Sequence, residues 1–61
     1  MFIAFDVQNA IERLNAGKIT IGQYKSIIKE LLEAERKLGG SIERLKGFIE
    51  GMEAALKFKG Y

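Results

Sequence analysis

The chain has 61 residues, 48% of them hydrophobic and 30% charged, with a formal net charge of +2. It contains no Cys and no His, which removes disulfide staples and makes a structural zinc site improbable. The mild positive balance is too weak to imply nucleic acid without a clustered patch, and the lack of an acidic excess disfavours a mimic of DNA.

A chain this short buries only about 60% of its unfolded surface, so a lone core is marginal. Regular helix packing, self-association or both must compensate. Pro and Trp are absent and Asp6 is the sole Asp, while Lys and Glu are abundant, a balance that favours long helices over turns. No apolar run approaches the ~18 residues of a membrane span, so no membrane partner is expected. Met1 to Phe5 is too short for a signal peptide and has no basic segment before it, and a cytoplasmic location is the resulting expectation.

The first predicted helix runs from about Asp6 to Ala16. Asp6 reads as its N-cap, with Phe5 and Ala10 as a hydrophobic staple. Ile3, Val7, Ala10, Ile11 and Leu14 share one face, which would also allow a start as early as Phe2. Gly17 stands where a helix ends in the left-handed conformation.

Thr20 with Gln23 three residues later is a capping box and opens the second helix. Ile21, Tyr24, Ile27, Ile28, Leu31, Leu32 and Leu38 recur on one broad stripe, with Lys25, Lys29, Glu33, Arg36 and Lys37 on the other side. Gly39 and Gly40 break it. Ser41 caps the third helix, which reaches about Lys57. There Ile42, Leu45, Ile49, Met52 and Leu56 form a two-heptad seam widened by Phe48. The tail Phe58 to Tyr61 is expected to fray. Short connections make each helix antiparallel to the one before. The expected fold is all-α, a short first helix followed by a long antiparallel helical hairpin, completed as an oligomeric bundle.

Gly47, Gly51 and Ala55 stack in a row at the edge of the third helix's seam. Interior glycines cost a helix about 1 kcal/mol each relative to Ala. Small residues in a row permit close backbone approach. The row therefore receives either the first helix of the same chain or a second subunit, or its glycines are merely tolerated. Glu35 falls inside the apolar arc of the second helix. Either it is buried against Arg13, Arg44 or a neighbouring subunit, or the hairpin end opens it to water, the reading its position near the helix end favours. Tyr24 reads as a core residue with a solvated hydroxyl. Phe2 and Phe5 cannot both join the face of Ile3, Val7 and Ile11, so one of them marks a contact surface unless both fold back over the hairpin. The candidate interface is thus Gly47, Phe48, Gly51, Met52, Ala55, Phe2 and Phe5.

No acid–base pair, nucleophile or phosphate loop is visible, and no cofactor is expected. The turn from Leu38 to Leu45 looks like the entry to a DNA-reading helix. The helix before it is about twice the usual length, however, and Glu43, Glu50 and Glu53 would face phosphates.

The run Leu14 to Leu32 resembles a recurrent bacterial pattern: a helix ending in Gly, then Ile-Thr, an aromatic four residues after the Thr, and a Leu pair. It resembles the short helical hairpins of SHOCT domains, which would imply a role in oligomerisation. Gly17 to Lys25 is also similar to XkdX-type short phage tail-region proteins. Gly22 departs from the acidic residue of the pattern, and neither family anticipates the glycine-bearing third helix. The reading that results is a small non-enzymatic helical interaction protein of phage or mobile-element type, a homo-oligomer and most simply a dimer, with another protein as a further partner. A small DNA- or RNA-binding regulator is the alternative. Salt separates the two, since nucleic-acid affinity falls steeply with salt and apolar association does not.

Overall fold

Side-chain caps set where the second and third helices begin. In a computed structural model describing residues 4–60, α1 spans Ala4–Asn15, α2 Ile21–Lys37 and α3 Ile42–Ala55, with no strand among the described residues. Thr20 Oγ1 accepts the Gln23 amide at 3.1 Å while the Thr20 amide donates to Gln23 Oε1 at 2.8 Å, so the capping box of α2 is complete. Ser41 Oγ accepts the Arg44 amide at 3.2 Å and opens α3. Asp6 is not a cap. α1 is already helical at Ala4, which places Asp6 inside the first turn, where its carboxylate still complements the positive end of the helix dipole. The expected contributions of Phe2 and Ile3 lie outside the described residues. At 12 residues α1 has about three turns.

All three helices end in the same double hydrogen bond, in which the second residue past the cap reaches back across the last turn. The Lys18 amide donates to the Arg13 carbonyl at 2.9 Å and the Gly40 amide to Glu35 at 2.9 Å. The Phe58 amide closes α3 onto the Glu53 carbonyl at 2.8 Å. Each motif needs a left-handed residue. Gly17 (φ 75°) and Gly39 (φ 80°) supply it for α1 and α2, but α3 uses Lys57 (φ 54°).

Direction follows from contacts at the helix ends. Asn15, closing α1, donates through Nδ2 to the Leu56 carbonyl at 3.0 Å, so the C-terminal ends of α1 and α3 are neighbours. Tyr24, near the start of α2, donates its hydroxyl to Glu53 Oε2 near the end of α3 at 2.7 Å. The order is therefore up, down, up, and each helix packs on both others. Val7, Ala10, Ile11, Ile19, Tyr24, Leu45 and Ile49 are buried between them.

Two further expectations fail. The tail does not fray over its described part. The Lys59 amide donates to Asn15 Oδ1 at 3.0 Å, the Phe58 ring packs on Tyr24 at 4.8 Å between centroids, and Gly60 lies against Phe58 and Ile21. Glu35 is not opened to water: it is 6% exposed. The turn after α2 closes over it, and a β-carbon at Gly40 would stand 2.9 Å from Glu35 Cγ and closer still to its carboxyl group.

Candidate interaction surface

The 17-residue helix α2 carries more aliphatic side chains than the chain covers. Its only buried residues are Tyr24 and Glu35. Ile27, Ile28, Leu31 and Leu32 are half-buried, and Ile21 is 38% exposed. Helical spacing explains the division. The direction of the core runs through Tyr24 and Glu35, so Ile27 and Leu31 lean toward α1, while Ile21, Ile28 and Leu32 lean the other way.

On that second side lies a groove of about 520 Å³. Ile21, Ile28 and Leu32 line it from α2, and Phe58 from the folded-back tail. The tail is what gives the groove a second wall, and Asn15 holds the tail in place. Lys25 and Lys29, both exposed, stand at the rim. Glu53 also borders it, half-buried, with Oε2 accepting the Tyr24 hydroxyl. A groove of this composition suits an apolar ridge that brings negative charge to its margin.

The residues expected to form an interface are distributed over two helices. Gly47, Gly51 and Ala55 are exposed on α3. A β-carbon at Gly47 or Gly51 would meet nothing within 4 Å, so α1 does not pack on the row. Among the described residues, nothing of the first helix occupies the row. Phe48 and Met52 are half-buried and pack on the core beside the row. Phe5 is 68% exposed on α1, and Phe2 lies outside the described residues. Leu38, at the hairpin turn, is 69% exposed rather than part of the stripe.

The sequence places Ile21, Ile28 and Leu32 on one broad apolar stripe but does not show the groove they line. The signal was present in the number of apolar residues on α2, but the second wall depends on a tail expected to fray. Tyr24 is buried as expected, though its hydroxyl meets Glu53 rather than water.

Among the described residues no group of three or more His, Cys, Asp and Glu is placed to hold a metal ion. No helix among them is long and apolar enough to cross a membrane. No protein-family model, curated protein or solved structure matches the chain.

Proposed function

We propose that the chain is a non-enzymatic helical interaction protein that associates with itself, most simply as a two-fold dimer completing a helical bundle. One observation carries this reading: not one of the five Ile and Leu side chains of α2 is buried by the chain itself. Full burial of a Leu or Ile is worth roughly 1.5–3 kcal/mol. A 61-residue domain has a total margin of only about 3–9 kcal/mol at typical per-residue stabilities. Covering even two half-buried side chains is therefore a large gain relative to that margin, and a second copy offers a surface of matching kind. The exposed Phe5 ring and the open surface at Gly47 and Gly51 support further contact area.

The absence of His and Cys, with no nucleophile–base arrangement in the sequence, favours a binding role over catalysis. The resemblance of Gly17 to Lys25 to short phage proteins adds an accessory role in a phage or mobile element, exercised in the cytoplasm. Light scattering from micromolar to millimolar chain concentration tests the central claim. An oligomeric mass is expected, unchanged by moderate salt. A monomer across the whole range would end the self-association reading.

A further inference from the structure

We propose that the α2 groove is a binding site for a medium-chain alkyl carboxylate, an anionic amphiphile with a single acyl chain. The groove is complete within one chain, so the inference goes beyond self-association and does not depend on it. Three elements bound it: Ile21, Ile28 and Leu32 from α2, Glu53 from α3, and Phe58 with Gly60 from the tail. Its volume of about 520 Å³ falls in the range of small-molecule sites, and its lining is mostly apolar. From Ile21 to Leu32 the α2 wall is about 16 Å long, which suits an extended occupant better than a compact one.

The charges along the groove select the sign of the head group. Lys25 and Lys29 are exposed and one turn apart, and neither ammonium group is paired with a carboxylate among the described residues. Around the helix, the flank of α2 from Ile28 to Lys29 holds Ile21, Leu32, Lys25 and Arg36, and no acidic residue. The carboxylate in the lining is Glu53 on the α3 wall, half-buried, with Oε2 accepting the Tyr24 hydroxyl at 2.7 Å. Beyond it on the outward side of α3 stand Lys46 and Glu50, one of each sign, and the tail adds the exposed Lys57 and Lys59. Glu53 opposes an anion, but the cations on the α2 rim outnumber it and face solvent. The wedge between α1 and α2 is the contrast. It measures about 420 Å³ and is lined by Asp6, Arg13 and Glu30, so its acids outnumber its cation.

An alkyl carboxylate uses both features. Its chain covers Ile28, Leu32 and Phe58, which the protein leaves half-buried, and its head group stays in water beside the two lysines.

Decanoate, kept below its micelle concentration, is the probe. Methyl and amide NMR shifts read binding at the lowest workable chain concentration, and sedimentation gives the mass. Saturable shifts centred on Ile21, Ile28 and Leu32 are expected. Octanoate should bind roughly tenfold more weakly, at up to about fourfold per methylene. Decanol and decyltrimethylammonium, which lack the negative charge, should also bind more weakly than decanoate. Lys25→Gln with Lys29→Gln should weaken decanoate by about threefold to tenfold and leave decanol unchanged. Glu53→Gln, which keeps an acceptor for the Tyr24 hydroxyl, should strengthen decanoate binding. Circular dichroism checks that the variants stay helical, and the lysine pair alone decides the matter if Glu53→Gln unfolds. Equal affinity for decanoate and decanol, or no effect of the lysine pair, would overturn the assignment. So would shifts confined to the α1–α2 wedge, or binding to anionic vesicles without saturation by dissolved decanoate. A monomeric parent that binds decanoate as described would end the self-association reading and leave this site standing.

Discussion

Gly40 and Glu35 make an interlocked pair whose energetics can be measured as a cycle. Gly40→Ala adds a methyl group where the buried Glu35 side chain already stands, 2.9 Å from Cγ and nearer to the carboxyl group. An exposed glutamate would swing aside at little cost, but Glu35 is only 6% exposed and packed beneath the turn. Either the side chain is forced out or the turn shifts, and overpacking of this kind costs about 1–3 kcal/mol. Gly40 itself has no positive φ, so alanine is conformationally admissible there once the obstruction is removed. In a Glu35→Ala background the same Gly40→Ala change should stabilise the fold by about 0.4–1 kcal/mol, by reducing the freedom of the unfolded chain. The coupling between the sites is then about 1.5–4 kcal/mol, with a reversal of sign for one substitution in two backgrounds. Urea melts of the four proteins at a fixed chain concentration supply all the terms. Equal destabilisation by Gly40→Ala in both backgrounds would refute the steric account.

Three further outcomes follow from the helix ends. Gly17→Val should destabilise by more than about 1 kcal/mol in denaturant melts; with open space around the position, the whole loss is the strain of φ 75° on a β-branched residue. Lys57→Gly should stabilise, by up to about 1 kcal/mol, because the left-handed residue ending α3 now carries a β-carbon; a loss of stability would mean that the lysine side chain contributes more than its backbone strain costs. Asn15→Ala removes the acceptor of the Lys59 amide and the donor to the Leu56 carbonyl, so hydrogen exchange at Lys59 should accelerate while amides in the middle of α3 keep their protection.

The helices were legible because their signals are local. Thr20 with Gln23, and Ser41 with the periodic run after it, specify a helix start through atoms three residues apart. Gly17 and Gly39 specify an end through their own backbone freedom. The start of α1 was left open between Phe2 and Asp6, because Asp6 is favourable both as a cap and inside a first turn and composition alone does not separate the two; the helix is already formed at Ala4. Lys57 gave no warning at all, since a left-handed lysine has no sequence signature.

The candidate site was harder to read because it is made by contacts across long stretches of chain. Asn15 bonds to Lys59 44 positions away, and that bond keeps Phe58 against Tyr24 and gives the groove its far wall. Nothing within a helical turn of Asn15 announces this. The burial of Glu35 did leave a trace in the sequence. A single glycine is enough to end α2, and Gly39 fills that role; the second, Gly40, has no positive φ to satisfy. A glycine that the backbone does not require is a sign of close approach, and what approaches it is Glu35. The same reasoning gives the opposite answer on α3. Among the described residues, Gly47 and Gly51 are required neither by backbone conformation nor by any neighbouring atom. Their cost to the helix, about 1 kcal/mol each, therefore has no compensation from the described residues of the same chain, and a second surface is where compensation can arise.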